Sequence, residues 1–196
     1  VWPTNMQRVL IGDISAEGGS VTGTGTGGNG NTVTLTTNGG VSTLTATNIT
    51  TDGGDTQTGD AGNAGTVSVQ TNEDILAADS DINISGTVSA QGGSSATTGN
   101  GGTGNTVNIG TDGGESNINL TSTGNNVIAD GGNAATGNGA TAGQITIATN
   151  STDAAANSDI NIAGNLSLNN GSSTVSGNAG ARTGSEYVDV STAGGN

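Results

Sequence analysis

Apolar residues along this chain come in pairs one residue apart, and the pairs keep a fixed order. The first kind comprises Ile82/Ile84, Ile118/Leu120 and Ile160/Ile162, with Leu44/Ala46 and Val9/Ile11 as weaker members. The second, closely followed by glycine, comprises Ile14/Ala16, Ile49/Thr51, Val88/Ala90, Val127/Ala129 and Leu166/Leu168. The third comprises Val33/Leu35, Val67/Val69, Val107/Ile109, Ile145/Ile147 and Val188/Val190. An i, i+2 spacing puts both members on one face of a strand. No window carries a 3.6-residue period, and glycine with β-branched residues opposes helix throughout.

The second set gives the period. Ile49, Val88, Val127 and Leu166 are each 39 residues apart, and Ile14 precedes Ile49 by 35. Between the second and third strands lies a polar, Gly-rich segment that holds a length of 11–13 residues in every copy. An unconstrained linker would drift in length. The repeats are placed at 9–40, 41–74, 75–114, 115–152 and 153–196, and residues 1–8 are a separate cap, hook or junction segment.

Two apolar residues per strand cannot hold an isolated strand together. Stacked copies can, because each repeat buries its face against its neighbours. The fold expected is all-β: a parallel β-helix (β-solenoid) of about five coils of ~39 residues, right-handed by the usual crossover rule, with three short strands per coil. Columns of like residues would fill the interior: Ile82, Ile84, Ile118, Leu120, Ile160 and Ile162; Ile49, Val88, Val127 and Leu166; Val33, Val67, Val107, Ile145 and Val188. The Gly-rich segments are expected as mobile loops on one edge. The glycine pairs Gly18/Gly19, Gly53/Gly54, Gly92/Gly93 and Gly131/Gly132, with Gly171, are expected to supply corners with positive φ. Asn83, Asn119 and Asn161 fall outward, as an amide ladder between coils or as ordinary solvated residues.

Composition sharpens this picture. Glycine numbers 38 and phenylalanine 0, with one tryptophan and one tyrosine. Such a mix often marks a disordered linker, but here the β-branched residues are periodic rather than scattered. Rings would overfill columns only ~4.8 Å apart, whereas Val, Ile, Leu and Ala stack at that spacing. The formal net charge is −14, from 16 acidic residues against Arg8 and Arg182. That balance excludes a phosphate-reading surface and disfavours anionic membranes, so neither nucleic acid nor membrane insertion is expected. Without cysteine, neither disulfides nor thiolate chemistry is available.

The motifs "GDISAEGG" (12–19), "SDINISG" (80–86), "GTVSAQGG" (86–93) and "SDINIAGNLSL" (158–168) resemble filamentous-haemagglutinin-type repeats of large bacterial exoproteins, the cyanobacterial type above all. The resemblance spans residues 9–196. It implies a right-handed parallel β-helix, secretion to the extracellular or cell-surface space, and a role as adhesin, stalk or surface fibre, with no catalytic residues in the repeats. The long Gly-rich insertion in each copy departs from the shorter rungs of that family.

Candidate chemistry is sparse. Polysaccharide-cleaving β-helices need clustered carboxylates or bases in a groove and aromatic sugar platforms. Here there is no histidine or lysine, and Asp52/Asp55, Glu73/Asp74 and Asp79/Asp81 recur at no common position with a basic partner, so no enzyme is expected. "GGNGNTVTL" (27–35) approaches a calcium-binding nonapeptide, but Thr32, like Thr106 in the third copy, stands where the ligand aspartate belongs. Asp52, Asp55 and Asp60 are the remaining calcium candidates. An ice-binding array would need Thr-x-Thr on every coil; Thr32/Thr34/Thr36 begins one, and Thr66/Ser68/Gln70 already breaks it. Sequons at Asn48, Asn83, Asn119, Asn150, Asn165 and Asn170 are what chance gives in this composition.

The chain closes on "STAGGN" after the last third-kind strand, so it is expected to end on a whole number of turns without a cap. Open strand edges invite pairing. Copies stacked head to tail are the expected partners, with Trp2, Tyr187, Val188 and Val190 at the junction; a segment of a secreted adhesin that contacts surface glycans or other cells is the alternative.

Overall fold

The computed structural model describes residues 6–38, 41–72, 79–112, 114–150 and 157–193, and the fold is an all-β parallel solenoid. The first circuit runs through β1 (Met6–Leu10), β2 (Ile14–Ser15), β3 (Val21–Thr24) and β4 (Val33–Asn38). The next comprises β5 (Val41–Ala46), β6 (Ile49–Thr50), β7 (Thr56–Thr58) and β8 (Val67–Asn72). Then come β9 (Ser80–Ile84), β10 (Val88–Ser89), β11 (Ser95–Thr98) and β12 (Thr106–Asp112). They are followed by β13 (Ile118–Leu120), β14 (Asn125–Ile128), β15 (Ala134–Thr136) and β16 (Gln144–Asn150). The last described circuit holds β17 (Ile160–Ile162), β18 (Asn165–Ser167), β19 (Ser173–Ser176) and β20 (Val188–Ala193).

Each strand pairs in parallel with its equivalents one circuit away, giving four sheets of five strands. The apolar columns are in the expected register. Leu44, Ile82, Ile118 and Ile160 are Cα partners in the first sheet; Ile49, Val88, Val127 and Leu166 in the second; Val33, Val67, Val107, Ile145 and Val188 in the fourth. Ile49, Val67, Ile82, Val88, Val107, Ile118, Val127 and Ile145 are wholly buried, and Ile84 and Leu120 nearly so. In the last circuit Ile160, Ile162 and Leu166 are half-buried, and Val188 is 44% exposed. The column is right there, but no described strand covers it.

Two expectations are corrected. Each circuit has four strands, not three: the extra one (β3, β7, β11, β15, β19) lies inside the Gly-rich segment and aligns Val21, Thr56, Ser95, Ala134 and Ser173. A strand needs only ladder partners above and below, so alternating large apolar residues are dispensable there. The paired glycines, in turn, do not supply the positive φ. That conformation falls further on, at Gly25, Gly59, Gly99, Gly137 and Gly177 (φ 125–157°), one per circuit in the same column.

The paired glycines serve close approach instead. A Cβ on Gly18, Gly53 or Gly92 would overlap the carbonyl of Gly28, Gly62 or Gly102 across the same circuit. On Gly54, Gly93, Gly132 or Gly171 it would overlap the equivalent carbonyl one circuit below. The Gly-rich segment is thus a narrow arm in which two strands of backbone touch without side chains between them. Hydrogen bonds close its root in the first four circuits: Asn31 N to Ala16 O (2.7 Å), Gly65 N to Thr51 O (2.7 Å), Asn105 N to Ala90 O (3.0 Å) and Gly143 N to Ala129 O (2.7 Å).

Further out, the two walls exchange hydrogen bonds in an unbroken zigzag. Gly28 N donates to Gly19 O, Gly54 N to Gly28 O, Gly62 N to Gly54 O, and Gly93 N to Gly62 O, at 2.8–3.0 Å. The same alternation continues through Gly102, Gly132, Ala140 and Gly171 to Gly180. An internally satisfied backbone of this kind can be buried without the cost of orphaned polar groups.

At the corner between the fourth and first sheets the interior turns polar. Thr37, Thr71, Thr111 and Thr149 face Ser42, Ser80, Ser116 and Ser158, all buried. Thr37 Oγ1 donates to Ser42 Oγ (3.0 Å), and Thr71 and Ser80 share a bond of 2.9 Å. Thr111 Oγ1 and Thr149 Oγ1 have no partner.

Candidate functional site

The polar residues at the corners act mainly along the solenoid axis. Asp13 Oδ1 accepts from Asn48 N (3.2 Å), and Asn48 Oδ1 in turn accepts from Thr87 N (2.8 Å). A second column links Ser20, Asp55, Ser94, Asn133 and Ser172, each side-chain oxygen taking the N–H of the next member at 2.7–3.2 Å. A third runs Asp60, Asn100, Asn138 and Asn178 (2.8–3.0 Å). The amide ladder also forms: Asn119 Nδ2 donates to Asn83 Oδ1 (2.9 Å) and Asn161 Nδ2 to Asn119 Oδ1 (3.0 Å). Short acceptors suit this work, since Asp, Asn and Ser reach a backbone N–H one strand-width away. The sequence signal for these columns is polar residues repeating at the copy period, as Asp55, Ser94, Asn133 and Ser172 do every 39 residues.

Where two such columns flank the glycine pairs, they form a polar groove of about 350 Å³ lined by Glu17, Ser20, Asp52, Asp55, Gln91 and Ser94 over a floor of glycine. Asp52 Oδ1 accepts from Ser89 Oγ (2.6 Å) and Gln91 N (2.8 Å). Burial nevertheless raises its pKa above the usual carboxylate value, outweighing those two hydrogen bonds and reinforced by the charges of Glu17 and Asp55.

The calcium candidates do not converge. Asp52 and Asp55 share the groove, whereas Asp60 sits beyond Gly59 in the arm and does not line it. Each has Oδ1 occupied by an N–H of the next circuit. Among the described residues no group of three His, Cys, Asp or Glu side chains is placed to hold a metal ion. The outward column of the fourth sheet reads Thr34, Ser68, Asn108, Thr146 and Asp189, which gives no repeating threonine surface.

Of the junction residues, Trp2 lies outside the described residues. Tyr187 (47% exposed), Val188 (44%) and Val190 (45%) are exposed at the start of β20, the two valines as the last described members of the interior columns through Ile145 and Ile147. The stretch 181–187 is longer than its counterparts. It makes a turn at Gly184 (φ 84°), sealed by Glu186, whose carboxylate accepts from Thr183 N and Gly184 N (3.0 Å each). Those backbone donors, Thr183 first, lower the Glu186 pKa. Ser185 lines a small polar cleft together with Gly104, Asn105, Ala142 and Gln144 of earlier circuits.

No family model matches the chain, and neither a curated protein nor a solved structure matches it. Among the described residues no helix is long and apolar enough to cross a membrane. What the geometry offers chemically is hydrogen-bonding edges, a polar groove and stacked columns. The carboxylates of Asp13, Asp52, Asp55, Asp60, Asp81 and Asp130 each accept a backbone N–H of the next circuit.

Proposed function

We propose that this chain is a structural segment of an extracellular, right-handed β-solenoid rod, with coils of ~39 residues that extend by end-on stacking of like circuits. The observation that supports it most is the sameness of the columns. Aliphatic, glycine and corner-acceptor positions recur circuit after circuit in one register, so the edge of β17–β20 repeats the chemistry that earlier circuits already satisfy by pairing. The strand edges would join copies, and the sheets would continue at ~4.8 Å per circuit. The resemblance of the repeats to filamentous-haemagglutinin-type exoproteins agrees with a surface filament, sheath or matrix role without catalysis.

The polar groove at Glu17, Asp52 and Gln91 favours a second reading, a stalk segment of a secreted adhesin that touches glycans or other cells. Negative-stain microscopy and sedimentation velocity on the purified chain separate the two. Filaments with a ~4.8 Å axial reflection support the rod. Monodisperse single particles at every concentration overturn it, and glycan binding by such particles favours the adhesin.

A further inference from the structure

A rod extended by stacking must select one register and one polarity. Aliphatic columns select poorly, because Val, Ile and Leu interchange within them. The outward face of the first sheet carries a more discriminating column. Arg8, Thr43 and Asp81 are successive partners, followed by Asn117 and Asp159. In it each acceptor is taken by the member above: Asp81 Oδ1 receives Asn117 N (3.0 Å) and Asn117 Nδ2 (3.1 Å), and Asn117 Oδ1 receives Asp159 N (3.1 Å). Asp159 is the last described member and Arg8 the first, and both are exposed.

Resting on the rod reading, we propose that Asp159 of one copy pairs with Arg8 of a second copy stacked head to tail on it, and that this contact sets the register of the junction. With the columns continued by one circuit, the Asp159 carboxylate meets the Arg8 guanidinium about one strand-width away, ~4.8 Å between backbones. The chain has two cations against 16 acids, and one of those cations is the first described member of the column whose last described member is Asp159.

Neighbouring columns agree with the same placement. Ser172 and Asn178 are the last described members of columns whose earlier members, Asn133 and Asn138, accept the N–H above them. In the junction they meet the N–H groups of Ser20 and Thr26 of the second copy. The glycine zigzag likewise continues from Gly180 O to Gly19 N of the second copy, repeating the Gly62-to-Gly93 step. A slip of one residue puts Gln7 or Val9 opposite Asp159 and turns every side chain to the wrong face. A head-to-head arrangement joins two like ends, so Arg8 does not meet Asp159 and the column gains no charge pair. Polarity and register are thus chosen by one column.

The test is sedimentation velocity of the 196-residue chain across a concentration series at low salt, with Arg8→Glu, Asp159→Arg and the double variant alongside. Circular-dichroism melts confirm that each variant folds. Either single reversal is expected to raise the concentration needed for assembly about tenfold or more, and the double reversal to restore it. Asp159→Arg lowers the net negative charge, so loss of assembly there cannot come from general repulsion. Single variants that assemble like the parent, or a double variant that fails to recover, overturn the Asp159–Arg8 pairing while the rod stands. A parent chain that stays monomeric overturns the rod reading itself, and the pairing with it.

Discussion

Main-chain ladders join the circuits in all four sheets, but between the first, second and fourth sheets side chains fill the interior, whereas in the arm that carries the third sheet main chain fills it. The first region fills its interior with Ile, Leu and Val columns, each side chain resting on its like one circuit below. The arm has almost no side-chain volume inside and substitutes a zigzag of peptide hydrogen bonds between Gly19, Gly28, Gly54, Gly62, Gly93 and their successors. Aliphatic packing tolerates a missing methylene at a graded cost, since neighbours relax into part of the space. At Gly132 backbone contact has no such slack, although the opposite wall accommodates Ala140: the first added carbon must displace a peptide that is itself hydrogen-bonded.

The largest effect is therefore expected in the arm from the smallest chemical change. A Cβ at Gly132 would overlap Gly93 O and crowd Gly92 O. Gly132→Ala is expected to cost more than about 4 kcal/mol, or to prevent folding, because several net hydrogen bonds of roughly 1 kcal/mol go with the displaced peptide. Ile109→Ala, by contrast, empties a fully buried site in the aliphatic region. It should cost about 3 kcal/mol, within the usual range for such truncations. Urea unfolding of both variants breaks or keeps the contrast: a Gly132→Ala midpoint above that of Ile109→Ala would mean that the arm yields easily.

A finer contrast lies within the polar corner. Thr71 is bonded to Ser80, whereas Thr111, one circuit on, is equally buried and has no partner. Replacing Thr111 with the isosteric Val removes an unmet hydroxyl and should stabilise by about 1 kcal/mol. The same change at Thr71 removes the bond to Ser80, whose hydroxyl keeps Asp112 O (2.9 Å) and Ser116 Oγ (3.2 Å), and should destabilise by about 0.5 kcal/mol. Equal shifts of the thermal midpoint in the two variants would contradict the bonding pattern.

These regions also differ in how far the sequence reveals them. The aliphatic columns were legible because strand alternation and a fixed period leave a direct trace in Ile49, Val88, Val127 and Leu166. The arm was not, because what builds it is the absence of side chains, and glycine with asparagine reads the same in a linker. Its strand, Thr56–Thr58 or Ala134–Thr136, has no hydrophobic alternation at all. Two traces were present nonetheless. One is the constant segment length; the other is a hydroxyl residue before glycine in every copy (Thr24-Gly25, Thr58-Gly59, Thr98-Gly99, Thr136-Gly137, Ser176-Gly177), which marks the positive-φ position that recurs in each circuit. The candidate surfaces were legible only as composition. That Asp52, Asp55 and Asp60 spend an oxygen each on the circuit above, and so fail to gather, depends on three-dimensional register.

The smallest expected effect joins the two regions at the root of the arm, where Asp52 is held. Its pKa is raised in the folded state, chiefly by burial. The folded protein therefore binds a proton more readily than the unfolded chain, and the contribution of this group to stability falls as pH rises from the ordinary carboxylate pKa through the raised one. At neutral pH the ionised Asp52 is a net cost, even with Ser89 and Gln91 donating to it. Asp52→Asn keeps an oxygen that can accept both bonds and removes the charge beside Glu17 and Asp55. It is expected to stabilise the fold by about 0.5 kcal/mol at neutral pH, a typical size for a partly exposed site. Protonation of Asp52 itself should erase that gain at about pH 3, below the ordinary carboxylate range. Paired melts at the two pH values read the difference directly, and an Asp52→Asn variant that is less stable than the parent at neutral pH would show that the charged form, not the neutral one, is what the root of the arm is built to hold.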